Sequence, residues 1–239
     1  PEGSLHISCE IQNAYGIGND RDNSYGNILI DFTGMLCLYL SGNDIVGIGG
    51  GKNDAGSIIS VRQTKIQIDC SGNNCVGIGN FDGNCIVDIK KSKDTILFSC
   101  GNAVGIGCMT GSANLLIEHY KVSVSASGMG LCGIGVLHEG TGCLIAAHGS
   151  IACDLRGRNT ICFGTDGGSL DCSTLLTTTN FNCEGNSVTG IGDIKGSGNI
   201  SLRDSNFTMR ILARENLDIG TKHGKLETVN IQKNIQVNE

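Results

Sequence analysis

The sequence predicts an all-β fold: a right-handed parallel β-helix of about eight coils, each 28–31 residues long and made of three short strands. Three observations predict it. A Val-Gly-Ile-Gly motif recurs at a nearly constant interval, apolar and polar residues alternate between the motifs, and the chain has 37 glycines but only one proline. Each coil of such a solenoid contacts only its neighbours. We therefore expect residues 1–239 to form a single domain, as a segment of a longer protein.

The recurring motif forms one strand of each coil, and its central apolar residue returns every 28–31 residues. Its second glycine is present in every copy, which predicts a backbone conformation closed to residues with a Cβ atom. Its first and third residues share one parity and are expected to point into the core. Its glycines would then point outward and form a smooth surface against which a sugar ring or a flat protein surface could lie. The alternative is that the glycines only allow the backbone to turn at the corner. The copies are Tyr15–Gly18, Val46–Gly49, Val76–Gly79, Val104–Gly107, Cys132–Gly135, Ile161–Gly164, Thr189–Gly192 and Leu217–Gly220.

Two further strands complete each coil. The strand before the motif alternates apolar and polar residues, as in Gln67–Cys70, and the strand after it buries pairs such as Cys143 with Ile145. Turns rich in glycine and asparagine, such as Ser71–Asn74, separate the strands because these residues tolerate positive φ angles. Neither end carries an obvious cap. We expect flanking sequence or self-association, end to end or face to face, to cover the open edges.

The thirteen cysteines follow the repeat. In each coil one position lies eight residues before the central apolar residue of the motif, or six residues before it in the fourth coil. Cysteine alternates with Leu, Ala and Ile at this position, as expected for a small buried hydrophobic residue. We interpret this column as reduced core thiols, with disulfides between neighbouring rungs as the alternative, since stacked strands lie about 4.8 Å apart. So many thiols indicate a reducing cytosol or an anaerobic exterior. The column is Cys9, Leu40, Cys70, Cys100, Ala126, Leu155, Cys183 and Ile211.

Charge and hydropathy exclude two classes of partner. The net charge is −6 and acidic and basic residues are interspersed, so no nucleic-acid surface is predicted. The densest basic stretch, Lys90–Lys93, is flanked by Asp88 and Asp94 and is interpreted as a solvated loop. No segment approaches the roughly 18 consecutive apolar residues that span a bilayer, so no membrane insertion is expected.

Aspartates in the turn after the motif are the candidate site residues. Carboxylate oxygens are calcium ligands, and paired carboxylates can act as acid and base. The acids of neighbouring coils do not reinforce one another, which favours solvated turns, and no catalytic residue is assigned. The candidate calcium ligands are Asp20, Asp22, Asp54 and Asp82, and the candidate acid–base pairs are Asp20 with Asp22, Asp44 with Asp54, and Asp82 with Asp88.

The histidines point to no further chemistry. In the repeat register none is expected to stack on another, and no serine or cysteine nucleophile has a histidine at a matching position. The sequence therefore predicts neither a hydrolytic triad nor a zinc site. The five are His6, His119, His138, His148 and His223.

The motif, a glycine-rich turn with a cysteine such as Asp82–Cys85 or Gly140–Cys143, and the alternating Ile and Val that follow resemble the Gly-Ile-Gly repeat β-helix proteins of clostridia. They are similar, more loosely, to clostridial β-helical carbohydrate-binding modules. The resemblance implies a polysaccharide ligand, a bacterial surface location and calcium in acidic turns. Those turns are matched here at Asp20, Asp22, Asp54, Asp82, Asp166 and Asp193.

Three functions follow as hypotheses. The first is a non-catalytic β-solenoid that binds polysaccharide on the surface of an anaerobic bacterium, with calcium as its only candidate cofactor. The second is a protein-interaction or ligand-sensing domain of an intracellular bacterial protein, which the reduced thiols favour. The third is a polysaccharide lyase or hydrolase. The expected partner is thus a polysaccharide or a protein surface.

Overall fold

The computed structural model describes residues 3–19, 25–51 and 56–238, and these form strands and short connections without a helix. The strands are β1 (Gly3–Glu10), β2 (Asn13–Asn19), β3 (Tyr25–Gly50), β4 (Gly56–Asn80), β5 (Asn84–Lys90), β6 (Lys93–Glu118), β7 (Lys121–Thr165), β8 (Ser169–Arg203), β9 (Asn206–Val229) and β10 (Gln232–Asn238).

The strands form one parallel sheet that winds into a solenoid of about eight turns, as the sequence predicts. Residues one coil apart pair directly: Ile48 pairs with Ile78, and Ile78 with Ile106. Hydrogen bonding continues through many corners, so the three sides of a coil merge into long strands. The 45 residues of β7 thus span more than one coil.

Two separate apolar clusters fill the solenoid. The central residues of the motif, such as Ile48 and Ile78, lie in the large internal core. The first residues of the motif do not, and the prediction that both point into one core is wrong. The alternation of side-chain direction is interrupted at the first glycine of the motif. Val76 therefore points away from the internal core and is covered by Phe81 from the following turn. The second cluster consists of Val46, Val76, Phe81, Val104, Met109, Cys132, Leu137 and Ile161.

The glycines of the motif permit the coils to stack and do not form an exposed ribbon. Gly77 and Gly79 are buried. A Cβ atom at Gly77 would lie 2.9 Å from the Ile96 side chain of the next coil. Gly79 has φ 142°, and a Cβ atom there would overlap the carbonyl oxygen of Gly107. The predicted Cβ-free backbone site is confirmed, whereas the outward ribbon is wrong for the buried copies of the motif.

The pairing register between coils shows that the predicted cysteine column is wrong in the fourth coil. Cys70 pairs with Phe98, and Cys100 pairs with Gly72 at the corner. The eight-residue count therefore holds in this coil too. Eleven of the thirteen cysteines are buried, and none is part of a disulfide bond in this structure.

A bulge explains a second correction. Thr110 pairs with His138 and Gly111 with Gly140, which leaves Glu139 as an extra residue in this coil. The extra residue reverses the side-chain parity that the sequence predicts for the next strand. Cys143 is therefore exposed, and Leu144 is buried in its place.

We expect Gly79→Ala to lower the free energy of unfolding by about 4 kcal/mol or more, because its Cβ atom meets the backbone of the next coil at a strained φ angle. Urea unfolding followed by circular dichroism measures the change. Gly3→Ala is the matched control, since a Cβ atom there has no neighbour within 4 Å. Equal effects of the two substitutions would contradict this view of the stacking.

Candidate functional site

Of the four candidate calcium ligands, Asp82 alone lies among the residues that the structure describes. Asp20, Asp22 and Asp54 lie outside the described residues. Asp82 is half-buried and accepts a hydrogen bond of 2.6 Å from Thr110 Oγ1. Within residues 3–19, 25–51 and 56–238, no three His, Cys, Asp or Glu side chains are grouped as metal ligands. Calcium binding stays a prediction.

The candidate acid–base pairs are not supported by the carboxylates that the structure describes. Asp88 forms an ion pair with Arg62 (Nη2 to Oδ2, 2.5 Å), whereas Asp82 is bound to Thr110 in a turn. Asp44 is buried and accepts a hydrogen bond of 2.8 Å from Asn74 Nδ2. Each of these carboxylates has a partner of its own that holds it in the fold.

Asp193 is the most strongly bound of the acidic turn residues. It is buried and accepts hydrogen bonds from Thr165 Oγ1 at 2.7 Å and from the backbone N–H groups of Gly167, Gly168 and Gly196. Burial alone would raise the pKa of this carboxyl group, but the hydrogen bonds together lower it. Its oxygens are already committed to the protein, so Asp193 stabilises the corner as an anion.

Basic side chains gather where three successive coils each pass into the next. Lys65 pairs with Lys93, and Lys93 pairs with Lys121, so three exposed lysines stack along the solenoid axis about 4.8 Å apart. Like charges directly opposite each other destabilise a sheet. This lysine column (Lys65, Lys93 and Lys121) therefore costs folding energy.

A second column lies beside the first. Lys91, His119 and His148 are exposed and adopt left-handed φ angles of 55°, 51° and 57°, which turn the chain at this corner. The rings of His119 and His148 stack with centroids 5.0 Å apart and planes inclined by 12°. The prediction that no histidine stacks on another is wrong, because the extra residue Glu139 displaces His148 from the simple repeat count.

The two columns border a groove of about 560 Å³ whose lining includes Thr64, Ser92 and Tyr120. The hydroxyl groups of Thr64 and Ser92 are held by backbone carbonyl groups; Ser92 Oγ donates to Thr64 O at 2.7 Å. We call the charged border the cationic corner. It comprises Lys65, Lys91, Lys93, Lys121, His119 and His148.

The charge of the cationic corner is not neutralised, in contrast to the adjacent side of the same coils. There Arg62 stacks on Lys90, but Arg62 forms an ion pair with Asp88, and Lys90 with Glu118 at 3.1 Å, so carboxylates offset both positive charges. In the part of the chain that the structure describes, no ion pair involves a lysine of the cationic corner. A protein with a net charge of −6 thus keeps a concentrated positive site.

Asp94 lies beneath this corner and is 1% exposed. Its Oδ1 atom is hydrogen-bonded to Ser92 Oγ, whereas its buried Oδ2 atom has no hydrogen-bond partner. Burial raises the pKa of Asp94 to about 7, against the opposing effect of hydrogen bonds from Ser92 and the backbone of Ile66. Near neutral pH this carboxyl group is partly protonated and only partly offsets the lysines.

Sequence reasoning missed the cationic corner, although a signal was present. The lysines of the column are separated by 28 residues, which is the repeat length of these coils. The interpretation of Lys91 and Lys93 as a solvated loop considered only neighbours in sequence.

Comparisons with known proteins leave the family open. A scan against protein-family models, a search of curated proteins and a search of solved structures each return no significant match. In the described ranges, the fold also contains no helix long and apolar enough to cross a membrane.

We expect Asp94→Asn to stabilise the protein more at pH 8 than at pH 5. The folded state holds a proton up to about pH 7, whereas the unfolded carboxyl group loses it near its ordinary pKa of 3.8. The stability due to the protonated carboxyl group is therefore complete below about pH 4 and is lost as the pH rises through 7, by up to about 4 kcal/mol. Urea unfolding at both pH values measures the difference.

Asp69→Asn is the control, because Asp69 lies on an exposed position of the neighbouring strand. A benefit of Asp94→Asn that is equal at pH 5 and pH 8 would rule out the proposed titration.

Proposed function

We propose that the protein is a non-catalytic β-solenoid module that binds an anionic polysaccharide along the cationic corner. The observation that carries the proposal is the stack of uncompensated lysines. Where Arg62 stacks on Lys90, the carboxylates of Asp88 and Glu118 offset the two like charges, whereas the lysine column has no such partner among the described residues.

A polymer suits this site better than a small ligand. The lysine column runs along the solenoid axis, so a chain with repeated acidic groups can contact Lys65, Lys93 and Lys121 in succession. Each exposed ion pair contributes little, but contacts within one polymer act together. The anionic class of ligand follows from charge, and the polysaccharide class follows from the resemblance stated above.

The surface beside the lysines supports a carbohydrate ligand. The next outward-facing residues on these strands are Gln67, Thr95 and Ser123, which pair with one another across the coils and are half-buried. Their amide and hydroxyl groups can exchange hydrogen bonds with sugar hydroxyl groups. The acidic groups of one polymer would thus contact the lysine column, and its hydroxyl groups would contact the column of Gln67, Thr95 and Ser123.

A binding role is favoured over catalysis by the surroundings of the groove. Glycoside hydrolysis uses two carboxyl groups that face the substrate. Asp94 is the carboxyl group in direct contact with a residue lining the groove, and it is buried beneath it. The bacterial surface location that the resemblance implies stays a prediction.

A protein-interaction role is the second candidate, because apolar side chains lie on the outer face of the strand that follows the motif. Ile58 and Ile86 pair with each other and are 38% and 44% exposed. Leu29 and Ile145 are also exposed, in the neighbouring column, where Ser60, Asp88 and Leu116 lie between them. A partner protein would cover this face rather than the cationic corner.

We expect pectic acid to retard the protein in affinity electrophoresis, and Lys65→Gln/Lys93→Gln/Lys121→Gln to weaken the retardation at least about tenfold. Three ion pairs of ordinary exposed strength account for such a loss. Neutral xylan should not retard the wild type, and added salt should weaken the effect of pectic acid. The matched control is Lys222→Gln/Lys225→Gln/Lys233→Gln, which removes the same charge elsewhere.

The same assay separates the lysines from calcium. Retardation that persists with a chelator supports binding by the cationic corner, whereas retardation that vanishes assigns the site to the acidic turns around Asp20, Asp22, Asp54 and Asp82. If no acidic polysaccharide retards the wild type, the protein-interaction role becomes the better proposal.

A further inference from the structure

Several buried cysteines contact one another inside the solenoid, and Cys75 with Cys100 is one such pair. The Sγ atoms of Cys85 and Cys108 lie 2.8 Å apart, and those of Cys162 and Cys183 lie 2.6 Å apart. All four side chains are buried in the internal core. In both pairs the sulfur atoms face each other within about 1 Å of the covalent S–S distance.

We infer that Cys85 is joined to Cys108, and Cys162 to Cys183, by disulfide bonds formed while the protein folds. Neither bond would join neighbouring rungs of one column, which is the arrangement that the sequence suggested. Each would instead connect two sides of the solenoid that belong to successive coils.

The first pair spans the corner after the motif. Cys85 is the second residue of β5, where it pairs with Ser57 of the coil before and Ala113 of the coil after. Cys108 ends the motif strand of the next coil, stacked on Asn80. The backbone ladder fixes both Cα positions, and both side chains point into the same part of the core, so their sulfur atoms meet across the corner.

The second pair depends on an exception in the motif. Cys162 occupies the first-glycine position of its copy, where the side chain of any residue points into the core, as the contact of a Cβ atom at Gly77 with Ile96 shows. Its thiol therefore reaches Cys183 of the following coil. Cys153 is also near: its Sγ atom lies 3.7 Å from the carbonyl oxygen of Cys162, and its thiol also contacts that of Cys162.

The bonds can form by exchange with a low-molecular-weight disulfide such as oxidised glutathione. One protein thiolate attacks the small disulfide and releases one small thiol; the second protein thiolate then displaces the other small thiol. The protein loses two protons and two electrons for each bond, and the small disulfide is reduced to two thiols.

Burial determines when this exchange happens. Contact with Cys108 and burial raise the pKa of Cys85, and burial and contacts with Cys153 and Cys183 raise the pKa of Cys162. Because these thiols are neutral and inaccessible in the folded protein, the exchange takes place before the coils close. The finished bonds are then shielded from reductants.

The test is to refold the full chain from denaturant with oxidised glutathione, denature it again and alkylate the free thiols. We expect nine alkylated cysteines out of thirteen and an intact mass lower by four hydrogen atoms before alkylation. Cleavage at Lys90 and Lys93 separates Cys85 from Cys108, and cleavage at Asp166 or Asp171 separates Cys162 from Cys183. Mass spectrometry should find both linked peptides without reductant and lose both with it.

Thirteen alkylated thiols, or linkages that omit either pair, would overturn the inference. Stability gives an independent readout: reductant present during unfolding should lower the unfolding midpoint of the wild type and of the control Cys172→Ala. It should not change the midpoint of Cys85→Ala/Cys162→Ala. Peptide mapping of the wild type remains decisive if that variant does not fold.

Discussion

The close approach of backbone between successive coils constrains the rest of this structure. At the second glycine of the motif, the carbonyl group of the next coil occupies the space that a Cβ atom would fill, as Gly79 and Gly107 show. This contact recurs at one position in coil after coil, so the register is fixed at that point and carried around each turn by the parallel ladder. The glycines are a condition of stacking and do not form a surface for ligands.

Fixed register turns each side-chain position into a column along the axis. Because neighbouring residues of a column lie about 4.8 Å apart, a residue type that recurs in a column forms a continuous strip of one chemical character. Columns of apolar residues form the core. Next to the corner, Arg62 is stacked on Lys90, and Asp88 and Glu118 offset their charges; the like charges of the lysine column have no carboxylate partner in the described part of the chain. The same geometry that makes the fold predictable therefore concentrates positive charge in an acidic protein.

The fold could be predicted from the sequence because the repeat period, the alternation of apolar and polar residues and the recurring glycines all indicate the same stacking of coils. The cationic corner could not be found by looking along the sequence, since Lys65 and Lys93 become neighbours only when the chain is wrapped. Local breaks in the repeat caused the other errors. Glu139 lengthens one coil and hides the stacking of His148, and the irregular first glycine turns Val76 away from the core.

Lysine-selective acetylation with and without pectic acid tests the central claim most directly, because it reads the bound surface of the unaltered protein. Binding at the cationic corner requires that pectic acid protect Lys65, Lys93 and Lys121 from the reagent while Lys222 and Lys225 remain reactive. Equal protection of all lysines, or protection confined to lysines outside the corner, would contradict the proposal that the lysine column holds the ligand.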